Sequence, residues 1–162
     1  MVKMVVMVLA AAVFFLGCYE DMEPFEAGDS SAEQKVLIAA EDTDFKRKVV
    51  DTVLENLGTG ERYFRIIGLS QLKDADTDRY EAVVLISAVK AGKLDGSVKS
   101  FLENGTAKSK TVLFITAGGE VPVSELKEKL GIRVDAVSSA SRDNRLEAKA
   151  EELKTLLERL NG

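Results

Sequence analysis

The 162-residue sequence contains no histidine, no tryptophan, one cysteine and two prolines. Without histidine, the chain lacks the most common metal ligand and the side chain that usually transfers protons near neutral pH. A single cysteine excludes an internal disulfide and a CxxC redox pair. Zinc hydrolases and histidine-dependent catalytic triads are therefore excluded by composition.

The overall composition is that of a globular protein of one ordinary domain with additional segments. Hydrophobic residues make up 46% of the chain and charged residues 30%, which is enough for a sizeable core. The formal net charge is −5, whereas nucleic-acid binding requires a positive surface. We therefore expect no nucleic-acid partner.

The N-terminus has the pattern of an export signal. One lysine, Lys3, precedes the apolar run 4–16, which is too short to span a bilayer comfortably but suits the central region of a secretory signal. The run ends Phe15-Leu16-Gly17-Cys18, which resembles the L-x-[GA]-C lipobox of bacterial lipoproteins, with phenylalanine in place of the first leucine.

This resemblance implies a signal peptide at 1–17, cleavage before Cys18 and attachment of lipid to its sulfur. Two or more acyl chains would give stable membrane attachment, so the expected location is outside the cytoplasmic membrane, with the membrane as partner. A plain signal peptide and an uncleaved anchor are the alternatives.

The segment 18–34 differs in composition from the rest of the chain. It has six acidic residues and neither lysine nor arginine, and its apolar residues show no sustained periodicity. Such a composition predicts a solvated tether. The folded domain is accordingly expected at 35–162.

Strand and helix patterns alternate along that domain. Apolar or alternating runs predict five strands, at 36–39, 63–68, 82–86, 111–115 and 132–137. Helical spacing predicts helices from about Arg47 to Gly58, at 97–103, from Pro122 to Leu130 and at 143–160, with an irregular connection at 70–78. Alternating strands and helices predict a three-layer α/β fold with a parallel sheet covered on both faces.

The segment 80–93 reads Tyr-Glu-Ala-Val-Val-Leu-Ile-Ser-Ala-Val-Lys-Ala-Gly-Lys, and 98–103 reads Val-Lys-Ser-Phe-Leu-Glu. These segments closely resemble the flavodoxin family, which often has Y-D-A-V-V-L-G-S-x-x-Y-A-G-K followed by V-K-x-F-L-E. The resemblance extends over about 35–120. It implies a flavodoxin-like sheet of order 2-1-3-4-5 and a site for flavin mononucleotide (FMN) formed by three loops.

The loop that should hold the FMN phosphate departs from the family pattern. Flavodoxins usually have S-x-T-G-x-T there, and this chain has Glu41-Asp42-Thr43-Asp44-Phe45-Lys46, so only Thr43 matches. A carboxylate about 4 Å from a phosphate charge costs on the order of 4 kcal/mol before screening, at an effective dielectric constant near 20. We therefore predict a degenerate phosphate loop in which an aspartate caps the following helix.

The other two loops lack the aromatic side chains that often pack on the flavin ring. Ala88 and Lys90 occupy positions where flavodoxins place proline and an aromatic residue. The segment 116–120 resembles the glycine-rich loop of several flavodoxin-like quinone or porphyrinogen oxidoreductases, although a simple turn is the alternative. The candidate cofactor-binding residues are Thr43, Ser87, Ala88, Gly92, Thr116, Gly118 and Gly119.

Two other site chemistries fit the residues less well. A phosphate-accepting receiver domain needs an aspartate after strand three and a lysine after strand five, where this chain has Ser87 and Ser138. The carboxylates of 41–44 suit a hard cation, but no second acidic segment accompanies them. We therefore predict neither a metal site nor a catalytic residue.

The leading hypothesis is a membrane-anchored lipoprotein whose flavodoxin-like domain is a non-catalytic binding or interaction module with a degenerate flavin site and an unidentified protein partner. The alternative is an FMN-binding electron-transfer protein at the membrane, an FMN-dependent redox protein that uses the candidate residues above.

Overall fold

A computed structural model describes residues 20–142 and 145–160. Six strands form one sheet of order β1-β3-β2-β4-β5-β6. The strands are β1 (Phe25–Gly28), β2 (Gln34–Ala40), β3 (Arg62–Gly68), β4 (Ala82–Ala88), β5 (Thr111–Ala117) and β6 (Asp135–Ala140). All neighbouring pairs are parallel except β1 and β3.

Helices cover both faces of the sheet and form two hydrophobic cores. The helices are α1 (Asp44–Leu57), α2 (Gly96–Asn104), α3 (Val123–Leu130) and α4 (Leu146–Leu160). One core joins the sheet to α1 and α4, and the other joins it to α2 and α3. The three-layer α/β class predicted from alternating apolar segments is confirmed.

The five parallel strands have the predicted order 2-1-3-4-5 when counted by themselves. The central segments of β2, β4 and β5 are almost fully apolar and buried on both faces, as the continuous apolar runs indicated. The irregular connection predicted at 70–78 consists of two short 3-10 helices, Leu69–Asp74 and Thr77–Arg79.

The structure differs from the predicted solvated tether, because the sheet begins at Phe25 rather than near Lys35. Phe25–Gly28 is a sixth strand, antiparallel to β3. Met22 lies in the core beside α1, with only 5% of its surface exposed. A short edge strand needs few apolar residues, so the acidic composition concealed it. The predicted signal peptide at 1–17 and the predicted lipidation of Cys18 lie outside the described residues.

Two boundaries also differ from the predicted ones. The last strand is Asp135–Ala140 rather than 132–137, because Ile132 and Val134 pack into the core ahead of the strand while the buried Ser138 and Ser139 carry no apolar signal. Helix α1 begins at Asp44, ahead of the apolar pattern. The predicted start of the last helix at 143 falls outside the described residues.

No helix within residues 20–142 and 145–160 is long and apolar enough to cross a membrane.

Candidate functional site at the carboxyl edge of the sheet

The candidate site lies where the strand order reverses. Strand β2 pairs with β3 on one side and with β4 on the other. The chain passes from β2 to β3 in one direction and then crosses to β4, β5 and β6 in the opposite direction. In open α/β sheets, ligands bind beyond the carboxyl ends of the strands at such a switch point. We call the loops that follow β2, β4 and β5 the carboxyl edge.

Thr43 is the N-cap of α1. Its Oγ1 accepts a hydrogen bond from the Lys46 backbone N–H at 3.2 Å. The prediction that an aspartate caps this helix is therefore wrong, because the hydroxyl of Thr43 occupies the capping position. Asp42 is instead paired with the side chain of Arg47, whose hydrogen bonds lower the pKa of the Asp42 carboxyl. The hydroxyl expected to face a phosphate accepts from the helix itself.

A buried ion pair occupies the inner side of the same loop. The carboxylate of Glu41 is paired with the ammonium of Lys46, and the two residues are only 3% and 2% exposed. The ammonium of Lys90, in the loop after β4, lies 3.4 Å from the second Glu41 oxygen. These three residues form what we call the Glu41 cluster. Through the contact of Glu41 with Lys90, the cluster joins the loop after β2 to the loop after β4.

The N-terminal segment 20–22 accepts a hydrogen bond from a backbone N–H of the phosphate loop. The Asp42 N–H donates to the Glu20 carbonyl at 2.7 Å, and the Met22 N–H donates to the Ala40 carbonyl at 3.3 Å. Asp21 packs directly against Gly68: a Cβ added to Gly68 would lie 2.3 Å from the Cβ of Asp21. Phosphate binding requires free N–H groups at a helix N-terminus, and the Asp42 donor is already satisfied.

The second loop lies beside the third through a backbone contact. The Val89 N–H donates to the Thr116 carbonyl at 2.9 Å, and Ala88 is the register partner of Thr116. The side chains of Ser87 and Thr116 are almost fully buried. Neither hydroxyl lines open surface.

The glycines of these loops are at the surface. Gly92 has a φ of +72° in the turn after β4, where glycine is favoured over other residues. Gly118 and Gly119 are exposed after β5, and a Cβ at either position would meet no atom within 4 Å. The structure thus places all seven candidate residues at the ends of β2, β4 and β5, with their exposed part consisting mainly of backbone.

An acidic groove adjoins the phosphate-loop position. It has a volume of about 750 Å³ and lies between the N-terminal segment and α1. Its charged lining residues are Glu20, Asp21, Glu23, Asp42, Asp51 and Arg47. Five acids and one base disfavour a dianionic ligand. No group of three or more acidic, cysteine or histidine side chains suited to a metal ion occurs in the described part of the chain.

Burial lowers the pKa of the Lys46 ammonium below its usual value. Desolvation is the largest effect, and it outweighs the hydrogen bond and the attraction from Glu41, which favour the charged form. The folded state therefore binds this proton less tightly than the unfolded state does.

This difference predicts a specific pH dependence of stability. Between the folded-state pKa of Lys46 and the ordinary value of 10.5, the unfolded state binds more protons, so the free energy of unfolding should rise with pH. We expect the wild type to gain stability relative to a Lys46→Met variant as the pH approaches 10.5. Urea unfolding of both proteins across that range measures the difference, and a difference that stays flat or falls contradicts the assignment.

Sequence reasoning missed the Glu41 cluster and the packing of the N-terminal segment. Glu41 and Lys46 are five positions apart, a spacing that joins a strand end to the first turn of a helix and matches no helical pair. A signal was available in Met22 and Phe25, which interrupt the acidic segment with large apolar side chains.

A scan of protein-family models and a search of curated proteins both find no match. Solved structures do match. A flavodoxin from the domain Archaea aligns with a TM-score of 0.52 and 13% identity over 80% of this chain and 100% of its own. An oxidoreductase from Corynebacterium diphtheriae aligns with a TM-score of 0.51 and 14% identity, covering 78% of this chain and 97% of its own.

Rubredoxin oxygen:oxidoreductase from Desulfovibrio gigas aligns with a TM-score of 0.48 and 14% identity over 78% of this chain, which spans only 35% of that protein. At 13% and 14% identity, the archaeal flavodoxin and the Corynebacterium oxidoreductase show a shared fold and nothing more. The protein has a flavodoxin-like α/β fold, with an additional antiparallel strand at one edge.

Proposed function

We propose that this chain is an exported lipoprotein whose flavodoxin-like domain is a non-catalytic binding module at the membrane. The observation that supports a site unable to bind flavin is the buried pair of Glu41 and Lys46 at the switch point. We infer that the carboxylate of Glu41 is the anion of the site: it is paired with the ammonium of Lys46 and is also contacted by that of Lys90.

The contacts around the loop support the same conclusion. A bound phosphate would need the Asp42 N–H, which donates to Glu20, and the Thr43 hydroxyl, which caps α1. It would also approach the carboxylates of Asp42 and Asp44, whose repulsion is only partly offset by Arg47. Binding FMN through the Asp42 N–H would first require its hydrogen bond to Glu20 to be broken.

The alternative function is FMN-dependent electron transfer at the membrane. Its support is the fold itself and the exposed backbone of Gly92, Gly118 and Gly119, which lies where a flavin ring is expected in such a sheet. FMN titration separates the two functions, because only the alternative requires tight binding of the flavin.

Membrane attachment is tested by replacing the proposed lipidation site. We expect Cys18→Ser to abolish incorporation of labelled fatty acid and to release the protein from the membrane fraction, because no thioether to lipid can form. Ser30→Ala, at an exposed position in the same N-terminal region, is a control that should remain attached. Unchanged labelling and attachment of the Cys18→Ser variant would show that the anchor is elsewhere.

A further inference from the structure

The chain joins the folded domain at the carboxyl edge of the sheet. Glu20 accepts from Asp42, just beyond β2, and the Asp21 carboxylate accepts from the Ser70 N–H at 3.2 Å, just beyond β3. Met22 is buried immediately afterwards. Three successive residues therefore fasten the start of the described chain beside the switch point.

Only Tyr19 separates this fastened segment from Cys18. A fully extended chain advances at most about 3.6 Å per residue, so a connection of this length can reach at most about 7 Å from Glu20. The segment 18–34 was predicted to be a solvated tether, but most of it is part of the fold. The free length of the tether is therefore very short.

We propose that the carboxyl edge of the sheet faces the lipid bilayer and that the bilayer surface covers the switch-point loops. This inference rests on the lipid anchor at Cys18 proposed above. The opposite edge lies farther away by the length of β2, whose seven residues span about 20 Å. A two-residue connection holds the nearer edge at the membrane.

The short tether, and not charge attraction, produces this orientation. The corner beside the anchor contains Glu20, Asp21, Glu23, Asp42 and Asp44, which repel an anionic lipid surface. Covalent attachment by two or more acyl chains outweighs such repulsion. The consequence is that a soluble macromolecule cannot dock on these loops, and the surfaces left open to partners are the helical faces and the amino edge.

The experiment uses the full-length lipidated protein with one introduced cysteine for labelling. Because the thiol of lipidated Cys18 is blocked, a fluorescent maleimide reacts only at the new position. Gly119→Cys places the label at the carboxyl edge, where a Cβ meets no neighbouring atom. Glu61→Cys is the matched variant at the amino edge, because Glu61 is exposed and directly precedes β3.

Quenching is measured in vesicles of zwitterionic lipid that contain a headgroup quencher. We expect several-fold stronger quenching of the label at position 119 than at position 61. Insertion of a ten-residue glycine-serine linker between Tyr19 and Glu20 should remove most of that difference, since a flexible linker of that length reaches on the order of 20 Å.

The outcomes distinguish the orientation from the anchor. Equal quenching at the two positions, or stronger quenching at 61, in protein that carries lipid would overturn the orientation and leave the anchor intact. If mass spectrometry shows no lipid on Cys18, the proposed anchor fails and the orientation fails with it.

Discussion

Replacing Glu41 with leucine is expected to lower the free energy of unfolding by about 3–5 kcal/mol, because it removes the carboxylate that is paired with the buried Lys46 ammonium. Lys46 is 2% exposed and is paired with Glu41. Leucine approximates the volume of the lost side chain, so the main effect is electrostatic. Urea unfolding monitored by circular dichroism measures the change.

The double variant Glu41→Leu/Lys46→Met is the decisive comparison. Replacing both partners of a buried ion pair by apolar residues is often neutral or stabilising, so the double variant should recover most of the lost stability. Arg47→Met is the matched control at the neighbouring pair: Arg47 is 62% exposed, and exposed pairs are worth about 0–1 kcal/mol. If Glu41→Leu lowers the free energy of unfolding no more than Arg47→Met does, the argument from burial of the Glu41–Lys46 pair is contradicted.

Met22→Ala is expected to cost about 2–5 kcal/mol, the range observed for truncating a large apolar side chain in a core. Met22 lies in a segment whose composition indicates a solvated tether, and in such a tether the same substitution would cost almost no stability. Its side chain packs in the core formed by the sheet, α1 and α4, and is 5% exposed. Chemical unfolding of the full-length variant in detergent gives the loss of stability.

Phe25→Ala is the control in the same segment. Phe25 is larger than Met22 but 38% exposed, so its truncation should cost clearly less. If the two variants lose equal stability, or if Met22→Ala loses none, the N-terminal segment does not contribute to the core as described.

The central part of the fold was predictable because its strands are buried on both faces. A strand such as β4, with Ala82–Ala88 almost entirely apolar, gives a continuous hydrophobic run, and the helices between such strands give a clear 3.6-residue period. The hydrophobic pattern fails to indicate a strand where the buried residues are polar or where the strand is short and mostly exposed. Strand β6 contains the buried Ser138 and Ser139, and β1 is a four-residue edge strand among acids.

The candidate site was predictable in position but not in its contacts. Its location follows from the strand order, whereas the start of α1 at Asp44 and its N-cap Thr43 were not predicted. The contact of Glu41 with Lys90 joins residues 49 positions apart, which no local pattern contains. The hydrogen bond from Asp42 to Glu20 is equally non-local.

Titration with FMN tests the central claim most directly. The mature chain with Cys18→Ser, stripped of any bound flavin, is titrated while flavin fluorescence is recorded, and a flavodoxin under the same conditions serves as positive control. We expect a colourless protein whose affinity for FMN is weaker than micromolar, because Glu41 is already paired with Lys46 and the Asp42 N–H is already bonded to the Glu20 carbonyl. A yellow protein that binds FMN with micromolar or tighter affinity would contradict the degenerate flavin site and favour the electron-transfer alternative.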